Sequence, residues 1–507
     1  MTVQALPRGS NPFDTSGTHR RADGVCVYDA LPETLVRELL DVVARTPEVE
    51  AVVEIGGDRL TYARLLDRAS RVAGGLVAGG LAPGDRVALR LPAGTDWVVA
   101  FWGVLLARGV VVAVNTRFAA PEIEFVLTDS GASVQLLPGV ALPDGEPHID
   151  SGARAQEIAA IFYTSGTTGR PKGVPTTHLA FLSNSETMVR CMGIDPGIGA
   201  GCRTLISVPL FHVTGCNAQL LTALHVGGTS VVLPALDLGV MMASIVDERI
   251  SFLVTVPAIY NLMLRQPSFA DLDVSGVHVV GYGGAPIASS LVRSLQAAFP
   301  SARVFNGFGA TETCSIVSVL PDTEAAEHAD SIGYPAPVVD IAIDPAGRSS
   351  GDRGELLVRG PNVLQHYWGG RAPATTADGW FRTGDIVTVD DAGRIAIVDR
   401  AKDMINRGGE NVASIEVEDA LSDAPGVIEA AVVGVPDEVM GEKVGVVLVG
   451  DADLDVAEVL KHVAGRVADY KVPQYVRISD APLPRNAAGK LLKAQIRDDA
   501  VWGDAVR

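Results

Sequence analysis

Residues 158–163 form an unbroken apolar run that opens directly onto Thr164-Ser165-Gly166-Thr167-Thr168-Gly169-Arg170-Pro171-Lys172-Gly173. The run reads as a buried strand. In the loop that leaves it, glycines remove the Cβ atoms that block close approach. Backbone N–H groups and the hydroxyls of Thr164, Ser165, Thr167 and Thr168 can then turn toward one anion. An ordinary Gly/Ser turn is the plainer alternative. A nucleotide-binding P-loop is excluded, because it needs Gly-Lys followed by Ser or Thr at a helix start. Here Pro171 precedes Lys172 and Gly173 follows it, which disfavours a helix. The chemistry indicated is phosphate handling.

At 507 residues the chain exceeds one hydrophobic core, so two or more domains are expected. From about residue 34 to 340, apolar strands alternate with helical spacing, the pattern of α/β layers. Strands are expected at 86–91, 110–114, 204–209, 230–233, 252–256 and 277–281, with helices at 61–81, 240–248 and 259–264. After Gly333 short strands follow at 340–343, 354–358, 385–389 and 394–398, which predicts a small β-rich subdomain. The charged pentad Asp399-Arg400-Ala401-Lys402-Asp403 marks a boundary. Beyond it, helices at 414–421 and 456–467 and strands at 427–435 and 444–449 predict a compact α+β domain.

The composition, 47% apolar and 20% charged, is that of a soluble globular protein. The net charge of −19 argues against nucleic acid as a partner, and an anionic substrate would need local basic groups. Five cysteines without a C-x-x-C spacing suit a reducing, cytoplasmic compartment, with neither a disulfide framework nor structural zinc. The most membrane-like run, 97–114, is split by Arg108-Gly109 and reads as buried helix, turn and strand, so no integral membrane segment is expected. The first twenty-odd residues lack the apolar centre of a secretory signal, and residues 1–30 read as a loose extension.

Six further motifs follow the phosphate loop in order: Pro209-Leu210-Phe211-His212, Gly283-Gly284-Ala285-Pro286, Gly307-Phe308-Gly309-Ala310-Thr311-Glu312, Trp380-Phe381-Arg382-Thr383-Gly384-Asp385, Asp399–Gly409 and Pro484-Arg485-Asn486-Ala487-Ala488-Gly489-Lys490. Together they resemble the adenylate-forming superfamily of acyl-CoA synthetases, luciferases and adenylation domains, over about residues 34–495. The resemblance implies a large N-terminal domain (31–399) of layered α/β subdomains plus a small β-rich subdomain, binding ATP and the acid. It also implies a mobile α+β C-terminal domain (400–507). The implied reaction uses ATP, Mg2+ and CoA. A carboxylate attacks the α-phosphate to give an acyl adenylate and pyrophosphate, and a thiol then displaces AMP.

The same resemblance implies a role for each motif. Lys490 reaches the α-phosphate and carboxylate oxygens. Glu312 holds Mg2+, and Thr311 hydrogen-bonds the α-phosphate. The loop Thr164–Gly169 and Lys172 hold phosphates. Phe308, between Gly307 and Gly309, packs on adenine, and Gly283, Gly284, Ala285 and Pro286 form the facing wall. Asp385 and Arg400 bind ribose. Lys402 matches the hinge, because one rigid arrangement cannot both cover the phosphates and admit a thiol. Gly408 and Gly409 leave room for the pantetheine arm. His212 flanks the acid pocket, lined by Phe211, Val213, Asn217, Val256, Ile259, Tyr260, Gly281 and Tyr282. That lining carries no acidic partner for an ammonium, so an apolar or ring-bearing acid is expected rather than an amino acid.

Two departures accompany the resemblance: 131–156 is shorter than usual, and residues 1–30 have no assignable counterpart. The function implied is an AMP-forming carboxylic acid–CoA ligase of fatty-acid or lipid metabolism, monomeric or homodimeric. The alternatives are transfer to a carrier protein, or to oxygen as in luciferases, and nucleotide binding without turnover.

Overall fold

The structure, a computed structural model, describes residues 11–164, 171–285, 287–344, 353–370, 374–408, 410–437, 439–452, 454–485, 491–503 and 505–506. They divide into two compact units: Met1–Ala342 with Leu357–Phe381 and Asp391–Arg394, and Ile343–Leu356 with Arg382–Asp390 and Ile395–Arg507.

The first unit carries the α/β layering expected from the alternating pattern. One sheet runs in the order Val134–Leu136, Arg86–Leu89, Val110–Ala113, Ile158–Thr164, Lys172–Thr177, parallel except for the last strand. In the larger sheet, Arg303–Ala310, Val279–Gly283, Phe252–Thr255, Arg203–Ile206, Thr229–Val232 and Glu50–Glu54 are successive parallel neighbours. Their continuous Val/Ile/Leu runs reflect burial on both faces. The helix Thr95–Leu106 is buried almost all round, and its Trp97, Phe101 and Trp102 meet Phe162 and Phe181 in one aromatic cluster. The membrane-like run is therefore core. It breaks where expected, with Arg108 at φ +55 and the Gly109 N–H on Val104 O before the strand Val110–Ala113. Among the described residues no helix is long and apolar enough to cross a membrane.

The N-terminal stretch departs from expectation: from residue 11 it is not loose. Thr18–Arg20 and Cys26–Tyr28 form an antiparallel hairpin. Arg20 clamps buried Asp340 with two bonds of 2.7 Å, Asn11 donates to Pro335 O at 2.8 Å, and Tyr28 OH meets Thr187 at 2.9 Å. Three-residue strands carry no readable period, and their partners lie more than 150 residues away in the chain, so composition alone suggested disorder. The stretch 131–156 also packs closely. Gly145 N donates to Arg71 O and His148 N to Ser70 O, along the helix Tyr62–Ala78.

The second unit contains the expected α+β arrangement. Glu410–Val412, Ile405–Arg407, Gly441–Gly450 and Val427–Asp437 form an antiparallel sheet, and Tyr475–Ile478 adds in parallel to Gly441–Gly450. Helices Ser414–Ser422 and Val456–Ala464 bury Val417, Leu421, Val459 and Val463 with Val432, Val446 and Leu448. The expected boundary at 399/400 does not coincide with the compact units. Strands Phe381–Val389 and Ile395–Arg400 pair antiparallel, and Arg382 bridges Asp344 and Glu355, which groups those short segments with the C-terminal residues.

Candidate active site

Strands Ile158–Thr164 and Lys172–Thr177 are antiparallel with Thr164 opposite Lys172, so the phosphate loop closes a hairpin and leads into a strand. That is the opposite of a P-loop, whose loop opens a helix. Ser165, Gly166, Thr167, Thr168 and Gly169 lie outside the described residues, as do Pro286, Gly409 and Lys490. The end of the hairpin is held by Trp368, whose N–H donates to Gly173 O at 2.9 Å and whose indole donates to Asp129 O at 3.0 Å. The neighbouring Tyr367 places its ring 5.2 Å from Lys172 Nζ, within cation–π reach.

Glu312 arrives at the same place from the larger sheet. Strand Arg303–Ala310 lies beside Val279–Gly283 with Gly307 opposite Gly283. A Cβ on Gly283 would stand 2.3 Å from Gly307 O, and one on Gly309 would stand 1.4 Å from Ser315 O. Glycine is therefore required at both positions by the approach of neighbouring backbone. Phe308 is half-buried beside the exposed turn Gly284-Ala285, rather than a core residue. The strand bulges between Phe308 and Gly309 and passes into the 3-10 turn Thr311–Thr313. Glu312 Oε1 accepts the Tyr367 phenol at 3.1 Å, and Glu312 O accepts Leu364 N. Burial, and then the Glu312 carboxylate, push the Tyr367 phenol well above its ordinary pKa, so it remains a donor. Lys172, Tyr367 and Glu312 thus converge. Tyr367 was not among the sequence candidates; its only signal was an isolated Tyr-Trp pair in a turn-rich stretch, which is more often core.

The turn is strained. Cys314 has φ +54 and Ser315 φ +105, and such non-glycine conformations cost about 1–3 kcal/mol each. Three buried asparagines hold it: Asn217 donates to Cys314 O at 3.2 Å, Asn184 accepts from Ile316 N at 3.1 Å, and Asn362 donates to Thr313 O at 2.8 Å and Ile316 O at 2.9 Å.

On the acid side, His212 is half-buried, with its ring 4.8 Å from that of Phe211 and its N–H on Pro209 O. The chain then winds into a π-helix, Thr214–Leu220, a form that recurs at functional sites. Two of the expected pocket residues are occupied elsewhere. Asn217 is fully buried and bonded to Cys314, and the Tyr260 hydroxyl meets Leu253 O and Gly281 O. Tyr282 and Gly281 are buried too, Phe211 and Val213 nearly so, while Val256 and Ile259 remain half-buried.

In the second unit, strand register brings together the pair expected for ribose. Asp385 lies opposite Arg400, whose Nε stands 3.1 Å from Asp385 Oδ1. Asp385 is buried and Arg400 largely exposed. Lys402 is exposed in the turn that follows Ile395–Arg400, and Gly408 is exposed with its N–H on Met440 O. The charged pentad is not wholly solvated, because Asp399 is buried. Burial raises its pKa, while its oxygens accept from Ser414 and from Arg400 N. Lys493 bonds both Ser414 and Glu418, completing a network that fixes the start of the helix Ser414–Ser422.

Among the described residues no group of three or more His, Cys, Asp or Glu side chains is placed to hold a metal. A lone half-buried carboxylate on a rigid turn suits Mg2+, which takes one or two protein oxygens and completes its shell with phosphate and water.

Comparison with known proteins supports the same chemistry. Residues 39–152 and 140–368 match the AMP-binding enzyme family, and residues 416–490 match the AMP-binding enzyme C-terminal domain. The chain is 36% identical over 487 residues to feruloyl-CoA synthase of an Amycolatopsis species, covering 90% of this chain and 96% of that protein. It is 34% identical over 494 residues to the long-chain-fatty-acid–CoA ligase FadD13 of Mycobacterium tuberculosis, covering 89% and 96%. Among solved structures it is similar to o-succinylbenzoate CoA synthetase of Bacillus subtilis in complex with its acyl-adenylate intermediate, with TM-score 0.85 and 28% identity over 94% of this chain and 100% of that one. The same protein with ATP and magnesium ion gives TM-score 0.83 and 29% identity, covering 91% and 99%.

Proposed function

The chain belongs to the AMP-binding enzyme family, and from that premise we propose which of its residues perform each part of the reaction. It is an ATP-dependent carboxylic acid–CoA ligase that works through an acyl adenylate. A carboxylate oxygen attacks the α-phosphorus, the bond to the β-phosphate breaks, and pyrophosphate leaves. The CoA thiol then attacks the acyl carbonyl, loses its proton, and expels AMP.

The loop Thr164–Gly169 and Lys172 bind the β- and γ-phosphates. Glu312 is the carboxylate for Mg2+, which supplies charge neutralisation across the triphosphate when bound. Thr311 donates to the α-phosphate. Phe308 packs on adenine, opposite Gly283–Pro286, while Gly307 and Gly309 keep the backbone low beneath the nucleotide. Asp385 accepts from the ribose hydroxyls and Arg400 orients it. Lys490 brings positive charge to the two reacting anions, and the chain turns about Lys402 between the steps. Gly408 and Gly409 then leave space for the pantetheine arm. His212 stands at the acid entrance.

The acid is apolar or ring-bearing. The segments around Phe211, Val256 and Ile259 support this, as do relatives whose names specify ferulate and long-chain fatty acids. All five cysteines are free and buried, which supports a reducing cytoplasmic setting. The convergence of Lys172, Tyr367 and Glu312 is the observation that carries the residue assignment.

Purified protein with ATP, Mg2+, CoA and a panel of aromatic, branched and fatty acids tests the reading by product analysis. AMP and pyrophosphate formed only with apolar acids would support it. ADP and phosphate, or a preference for amino acids, would overturn it.

A further inference from the structure

We propose that Asn217 is a positioning residue for Thr311 and Glu312, acting with Asn184 and Asn362 as a clamp on the strained turn that presents them. The proposal rests on Glu312 being the Mg2+ carboxylate. Three observations lead to it. First, Cys314 and Ser315 are consecutive non-glycine residues at φ +54 and +105, immediately after the Thr311–Thr313 turn. A chain free to relax would not hold that backbone. Second, the polar groups of the turn are secured from three separate directions. Asn184 comes from the helix His178–Met192, Asn217 from the π-helix Thr214–Leu220, and Asn362 from the segment that leads to Tyr367. Asn217 also directs its amide at Cys314 Sγ, 3.1 Å away, and Asn184 Nδ2 donates to Asn217 O, so two of the clamps are themselves joined.

Third, the arrangement is costly. Asn217 Oδ1 and Asn362 Oδ1 are buried without a hydrogen-bond partner among the described residues. Both amides are turned so that their donors serve the turn. A core built for packing alone would fill such positions with apolar groups. Buried amides at a strained turn serve instead to fix direction. What they direct is Glu312, which meets Tyr367, together with Thr311 beside it, the two residues assigned above to Mg2+ and the α-phosphate. Because Asn217 lies in the helical turn that follows His212, the clamp also ties the acid side of the site to the metal side.

The test is ATP binding by the full-length protein, measured calorimetrically across a Mg2+ series alongside thermal unfolding. Asn217→Ala should raise the Mg2+ concentration for half-maximal ATP binding about tenfold, as loss of an outer positioning contact does at other metal sites. ATP affinity without Mg2+ should change less than about twofold. Adding Ser315→Gly, which adopts positive φ without strain, should recover most of the loss. Asn217→Ser, which keeps a donor, should fall between and stands in if the alanine variant does not fold. Glu312→Gln is the control. If it leaves the Mg2+ midpoint unmoved, the metal assignment fails rather than the clamp. If Glu312→Gln shifts the midpoint while both Asn217 variants lower only the melting temperature, the positioning role is wrong.

Discussion

At the scale of single residues, the site depends on groups that either donate one bond or leave room for one atom. Tyr367 does the first. Tyr367→Phe keeps the ring near Lys172 and removes the donor to Glu312. It should lower kcat about five- to thirtyfold with KM for ATP little changed, a loss of about 1–2 kcal/mol in the transition state. Tyr367→Leu removes both contacts and should raise KM for ATP as well, which steady-state kinetics would separate. Gly309 does the second. A methyl there would overlap Ser315 O, so Gly309→Ala should cost more than about 3 kcal/mol of stability, measurable by urea denaturation. Glu312 and the glycines around it were named through the resemblance of the motif Gly307–Glu312 to the family, since a Thr-Glu pair by itself is more often a helix start. Tyr367 and Asn184 were not, and Asn217 was expected in the acid pocket rather than on this turn. Their bonds span 55, 132 and 97 positions, and an isolated Asn or Tyr carries no local pattern that reveals its partner.

At the scale of elements, the period of the apolar residues located strands such as Arg86–Leu89 and Phe252–Thr255 and the helix Tyr62–Ala78, because burial on one face or two leaves a periodic trace. It passed over the helices Leu35–Arg45, His178–Met192 and Ser289–Ala298 and the strands Glu50–Glu54 and Ser315–Leu320. It could not reveal the π-helix at Thr214–Leu220, whose spacing resembles that of an α-helix, nor the way helices are fastened to one another. Leu35–Arg45, His178–Met192 and Leu221–His225 meet at His225, which bonds Glu38 at 2.5 Å and Glu186 at 3.0 Å. Burial opposes a charge there, but Glu38 and Glu186 outweigh it and hold the imidazolium to a pKa of about 10. The folded value lies above the unfolded one of about 6.5. This stabilisation is therefore fully present below about pH 6.5 and is lost as pH rises through 10. Thermal melts should show a falling midpoint from pH 7 to 10. His225→Gln should be less stable by about 3 kcal/mol at pH 7, with a much flatter profile over that window. An equally steep profile in the variant would place the titrating group elsewhere.

At the scale of the whole molecule, the order of the motifs along the chain was legible, and so was the reaction they imply. The N-terminal arm was not. Its hairpin is held by Arg20 on Asp340, a carboxylate that Arg359 also contacts. Because Arg20 is half exposed, Arg20→Ala should cost only about 1 kcal/mol, whereas deleting residues 1–30 should lower the melting temperature by several degrees. In the reaction proposed here, Lys490 carries the charge for joining acid to ATP and takes no part in thioester formation. That assignment is tested most directly by assaying Lys490→Ala in the two half-reactions separately, using pyrophosphate–ATP exchange for the first and synthetic acyl-AMP with CoA for the second. Exchange should fall by at least about a thousandfold, roughly 4 kcal/mol, while thioester formation stays within a few fold of the unmodified enzyme. Equal loss in both half-reactions, or exchange that survives the substitution, would contradict it.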